Sequence, residues 1–227
     1  MRARRHAVHR PGRKRPPRAR RLATASTKPT RLPKDVDPES LSRFPLLTRA
    51  DMDAQGQMLY DAVVSPRSRT LVGLRGPGGI WLHSPRLAEH LRAANQYLRY
   101  ETALDRRLTE LAILVTAREL DHQFEWTAHE PAARREGLEP QIIDLVKHRK
   151  PIARLGKKEA LIVRFGRELF REKKLRARTF AQAVKLFGRQ GVLNLAALMG
   201  TYAMTAIILN MANQQLHPDQ EPLLPIP

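Results

Sequence analysis

The stretch LDHQFEWTAHEP, residues 120–131, places Asp121, His122, Glu125 and His129 within nine positions. On a helix, His122, Glu125 and His129 stand at i, i+3 and i+7. At about 100° per residue they share one stripe. Such a stripe can transfer protons: imidazole titrates near neutral pH, and a neighbouring carboxylate orients the ring and raises its basicity. Two other readings fit the same spacing. One is a solvated polar face. The other is a metal site, since two imidazoles and a carboxylate are acceptable ligands. The segment is not HExxH, however, and its histidines are two turns apart, roughly 10 Å along the axis, so no metal is expected. Phe124 and Trp126 point away from the stripe, toward the core or a pocket wall.

The elements around this segment read as helices. LTRADMDAQGQMLYDAVVS starts with Thr48 and has Asp51 three positions on, a capping arrangement, with Met52, Met58, Leu59 and Val63 as its apolar stripe. LRGPGGIWLHSP reads as a loop that fixes Trp81 and His83; it holds neither GxxxxGK[ST] nor GxGxxG. Ser84-Pro85 is a helix start, and Leu87, Leu91, Ala94 and Leu98 follow at helical spacing. Asp105 precedes RRLTELAILVTAREL, apolar at Leu108, Leu111, Ala112, Val115 and Leu120. Asp121 is the expected cap of the next helix, and Pro131 is expected to kink or end it near His129. Gly137 reads as a stop and Pro140 as a restart. Further helices are expected at 157–173, 179–188 and 191–213. The last is apolar enough to raise a membrane span, but Asn194, Thr201, Thr205 and Asn210 interrupt it. It reads as a core or subunit-interface helix, not a membrane one. No stretch shows β alternation, so the fold class is all-α.

There is no cysteine, which excludes disulfides, thiolate ligands and thiol redox chemistry and is compatible with a reducing cytoplasm. The net charge of +19 would ordinarily point to nucleic acid. Thirteen of the bases, and no acid, lie in residues 1–34, leaving twenty-eight bases against twenty-two acids elsewhere. The domain is therefore only mildly basic. The Arg/Pro-rich tail lacks apolar periodicity and is expected to be disordered over 1–43, with the domain at 44–227. No apolar h-region follows its arginines. It reads as a solvated segment, an arm making nonspecific polyanion contacts, or translation from an upstream start.

LTELAILVTAREL–DHQFEWTAHEPAARREGL, with GPGGIWLHSPRLAEHLRAANQYLR upstream and LAALMGTYAMTAIILNMANQQLHP downstream, resembles the carboxymuconolactone decarboxylase family, which includes the alkylhydroperoxidase D-like proteins. The likeness spans about residues 44–218. It implies an all-α helical bundle that assembles as a homo-oligomer, a trimer or hexamer. In the family's peroxidase branch a glutamate, a CxxC pair and a histidine form the site. Glu110 matches that glutamate and His129 that histidine, while His122 and Glu125 stand at the cysteine positions. Thiol peroxidase chemistry therefore does not carry over. The decarboxylase branch uses neither cysteine nor cofactor, and acts on a small anionic lactone of aromatic catabolism. It implies His129 as acid/base, Glu125 as its orienter, and Glu110 and His122 in support. Arg107 and Arg118 are candidates for holding substrate carboxylates; Trp81, His83, Trp126 and Tyr202 are candidates for the pocket wall. The rival expectations are a noncatalytic oligomer that binds a small ligand, and a nucleic-acid-associated protein acting through the tail.

Overall fold

A computed structural model describes residues 32–226. Among these, eight helices form: α1 (Ala54–Val64), α2 (Pro77–Trp81), α3 (Pro85–Tyr100), α4 (Arg106–Glu119), α5 (Gln123–Arg135), α6 (Pro140–Lys147), α7 (Lys157–Arg167) and α8 (Ala177–Met211). A 3-10 turn spans Arg49–Asp51 and a π turn Glu168–Glu172. No strand forms among the described residues; Asp37 and Ser42 make an isolated bridge.

α4 is the axis of the bundle. Its sequence is apolar on nearly every side, and every residue from Leu108 to Arg118 is buried, as a helix without a polar face requires. α5, α6, α7 and α8 all pack on it. Gly166 lets α7 come close: a Cβ there would stand 2.4 Å from Cγ1 of Val115. The Asp105 carboxylate caps α4 by accepting the Leu108 N–H at 2.8 Å. α8 breaks at Gly188, whose φ of 70° places it in the left-handed region. The break falls at the end of the helix expected at 179–188 and before the one expected at 191–213. Beyond the break, Leu195, Leu198, Met199 and Tyr202 face the core, while Leu193, Ile207 and Met211 are exposed.

Several expectations are corrected. Thr48 does form a capping box, but on the short 3-10 turn; α1 begins later, where Asp53 accepts the Gly56 N–H at 2.8 Å. Met58 is exposed and not part of the core stripe. Pro77–Trp81, α2, is a helical turn within the expected loop. α5 runs through Pro131 to Arg135. The proline withholds one N–H from the Thr127 carbonyl, but buried Trp126, Ala132 and Ala133 keep the helix packed on both sides. Ordered contacts also begin before Phe44. Val36 and Leu41 are buried, the Arg43 N–H donates to the Ala212 carbonyl at 2.7 Å, and the Gln215 N–H donates to the Leu41 carbonyl at 2.8 Å. Those residues form turns, so periodicity gave no sign of them. The rest of the basic segment, residues 1–31, lies outside the described residues.

Candidate active site

The α4–α5 connection sets the geometry of the site. α4 ends with Asp121 in the left-handed region, φ 51°. The His122 N–H reaches back to the Ala117 carbonyl at 2.8 Å and the Asp121 N–H to the Arg118 carbonyl at 3.2 Å, a Schellman arrangement. His122, not Asp121, then caps α5: its Nδ1 accepts the Glu125 N–H at 3.2 Å. One residue thus closes one helix and opens the next, and the two helices pack antiparallel with Glu110 opposite His129.

Glu110 has no exposed surface. A carboxylate on the most buried helix must be paired, and it is. Its Oε2 meets His129 Nδ1 at 2.7 Å, and its Oε1 accepts from Arg106 Nη2 at 3.0 Å and Arg99 Nη2 at 3.2 Å. Burial alone would raise its pKa; the charge and hydrogen bond of His129, with Arg99 and Arg106, outweigh that and hold it at about 2. Glu110 is therefore an acceptor, and the proton on His129 sits on Nδ1. The other ring nitrogen, Nε2, faces Glu125 Oε2 at 3.6 Å, outside hydrogen-bond range. Burial raises the Glu125 pKa, while His129 and Arg99 act against the rise. Tyr202 stands edge-on to His129, with ring centroids 5.0 Å apart, and burial raises its pKa also. The site therefore pairs an ionised carboxylate on one side of an imidazole with a carboxyl biased toward its neutral form on the other. That asymmetry suits proton transfer at Nε2.

The expected residues divide accordingly. Glu110, Glu125, His129 and Tyr202 come together. Glu110, not Glu125, orients the ring. His122 turns away: burial lowers its pKa to about 4, against contacts from Ala206 and Asn210 of α8. It does not share the proton-transfer stripe, because an N-cap residue lies outside the helical rotation assumed for that spacing. Trp126 is core, its Nε1 donating to Glu130 Oε2 at 2.7 Å. His83 holds the Pro45 carbonyl at 3.0 Å through Nε2. Arg107 bridges Glu139, the N-cap residue of α6, and Glu159 on α7, and Arg118 donates to the Pro225 carbonyl at 2.8 Å. Neither arginine contacts Glu110 or His129.

The arginines at the site are Arg99 and Arg106, neither of which the helical spacing of the His/Glu stripe singles out. Arg106 sits four residues before Glu110, a spacing that pairs opposite charges on a helix. Arg99 lies on the buried side of α3 with Ala88, Leu91 and Leu98, so a cation on an apolar face was the available signal. Arg99 also lines a cleft of about 520 Å³ with Trp81 and Asn95. His129, Glu110 and Glu125 do not line this cleft; Arg99 connects it to them through its pair with Glu110. Among the described residues no cluster of three or more potential ligands could hold a metal ion.

Residues 85–179 match the model of the carboxymuconolactone decarboxylase family. The fold is similar to the crystal structure of an alkylhydroperoxidase AhpD core, an uncharacterized peroxidase-related protein from Ralstonia eutropha JMP134. The TM-score is 0.62 at 14% identity, covering 78% of this chain and 93% of that one. Comparison with curated proteins gives no match.

Proposed function

We propose, for a chain whose residues 85–179 belong to the carboxymuconolactone decarboxylase family, a cofactor-free lyase of small anionic lactones or unsaturated acids. The observation that carries this reading is the Glu110–His129 pair, buried and fixed by two guanidiniums, with Glu125 facing the free nitrogen. Loss of CO2 leaves an electron pair that spreads to the lactone carbonyl oxygen. The Arg99 guanidinium stabilises that developing charge. On this reading His129 returns a proton to carbon from Nε2, the nitrogen that faces Glu125, and Glu110 stabilises the imidazolium while the proton is on the ring. The absence of cysteine argues against thiol peroxidase chemistry. The assembly proposed with it is a homo-oligomer, a trimer or hexamer.

The test is turnover of carboxymuconolactone, followed as CO2 release, in the wild type and in His129→Gln. A fall of roughly 10²–10⁴-fold is expected, the usual worth of a general acid or base. Equal turnover per folded molecule would remove the assignment. One observation favours a second reading, a noncatalytic ligand-binding member: the imidazole is 5% exposed and does not line the cleft. On that reading His129→Gln loses stability and there is no turnover to lose.

A further inference from the structure

We propose that Arg67, Arg69 and Arg92 form an anion-selecting rim on the cleft beside Arg99, so that the site takes a flat ring bearing oxyanion groups and ranks ligands by how many they carry. Arg67 and Arg69 come from SPRSRT, residues 65–70, the loop after α1. That loop lies outside the segment matched by the family model. Arg92 and Arg99 come from α3.

Four guanidiniums line this cleft and no carboxylate does. Arg99 is paired with Glu110. The ion pairs among the described residues include none made by Arg67, Arg69 or Arg92. Other arginines on the surface are unpaired too; what sets these three apart is that they line one concavity together with Arg99. Uncompensated cations gathered in one concave place attract anions and raise their local concentration. Arg92 is only partly exposed, and burial lowers its pKa with no opposing carboxylate.

Two residues of the cleft wall also carry buried donors. Trp81 Nε1 and Arg99 Nε, both on residues more than nine-tenths buried, have no acceptor within the protein. A buried donor left unpaired is costly, so the wall of the cleft carries two unsatisfied donors beside the arginines. The guanidiniums are also held in place. The Tyr100 ring has the Cζ atoms of Arg106, Arg69 and Arg99 at 4.3, 4.5 and 5.0 Å from its centroid. Stacking of this kind fixes a planar cation before the ligand arrives, which lowers the ordering cost of binding. Arg106 and Arg99 have Glu110 as counter-ion; Arg69 has none, and an oxyanion beside it would complete the set. A cleft of about 520 Å³ suits a single-ring ligand, with the Trp81 and Tyr100 rings beside its flat body and the arginines on its carboxylates or phosphate.

This rim deepens the decarboxylase reading of the same site, but its test requires no turnover, so the two can fail separately. Titration calorimetry of the full chain with benzamide, benzoate, isophthalate and phenyl phosphate measures charge selection directly. Isophthalate should bind more tightly than benzoate, and benzamide at least ten times more weakly than isophthalate. Arg69→Gln and Arg92→Gln should each weaken isophthalate by roughly ten- to hundred-fold, the worth of a hydrogen bond to a charged group, and leave benzamide unchanged. Arg107→Gln, whose guanidinium belongs to the α6 and α7 contacts, should bind as wild type. Phenyl phosphate binding above isophthalate identifies a phosphate ester as the natural group, and the reverse order a carboxylate; either supports the rim. The proposal is overturned if benzamide and isophthalate bind alike, if no anion binds at millimolar concentration, or if Arg107→Gln weakens isophthalate as much as the rim variants do.

Discussion

Replacing His122 by Asn should remove much of the acid sensitivity of this protein between pH 6.5 and 4. The His122 ring caps α5 by accepting the Glu125 N–H, so its Nδ1 must be unprotonated, and the residue is 5% exposed. Burial lowers its pKa from 6.5 to about 4. Between those values the unfolded chain binds a proton that the folded one does not. The stability it contributes is complete above pH 6.5 and is lost as pH falls toward 4. That gap is worth on the order of 3 kcal/mol, at a slope of up to about 1.4 kcal/mol per pH unit. Asn caps a helix as well as any residue and does not titrate. Glu125 acts in the opposite sense. Its folded pKa is raised, so its contribution is present below about 4.5 and is lost as pH rises through the folded value. It is common to both proteins and cancels in their difference. Urea unfolding followed by circular dichroism at pH 7.5, 6.5, 5.5 and 4.5 measures that difference. Whatever the offset at pH 7.5 from the ring's lost contacts with α8, the difference should shift by about 2–3 kcal/mol in the variant's favour on going to pH 4.5. Curves that stay parallel from 7.5 to 4.5 would show that His122 is not a neutral cap, and the account of the α4–α5 connection would fall with it.

Glu110→Gln should cost roughly 3–5 kcal/mol at pH 7, because it leaves the buried Arg99 guanidinium without its anion; a loss below about 1 kcal/mol in urea unfolding would show that the pair is not the fixed point of the site. The sign of its pH dependence follows from a folded pKa of about 2 against 4.5. The wild-type advantage over Gln is full above pH 4.5 and disappears as pH falls toward 2. The exposed apolar stripe on α8, Leu193, Ile207 and Met211, is assigned to the proposed interface between copies. Ile207→Asp should convert a trimer or hexamer to monomers in light scattering, while a wild type already monomeric at micromolar concentration would remove the assembly.

The helices were legible in this sequence because their signals are local. Asp105 caps α4, Gly137 and Pro140 separate α5 from α6, and the period near 3.6 marks α3 and α4. Separate helices were legible at 179–188 and from 191 on, while the left-handed glycine that divides them, Gly188, was not singled out. Glu110, Glu125 and His129 stand out by residue type and family likeness, and the fold brings the three together. Their roles depended on the fold. Spacing on one helix cannot show what a neighbouring helix presents, so Glu125 was given the orienting task that Glu110 performs from α4. The one-helix picture also placed His122 on the stripe, although the chain reverses there and the residue caps the turn. Arg99 and the rim arginines were the least visible. Arg99 meets Glu110 from another helix, and Arg69 approaches Tyr100 across thirty-one positions of sequence. A cation's meaning comes from whether a counter-charge faces it, and only tertiary packing decides that.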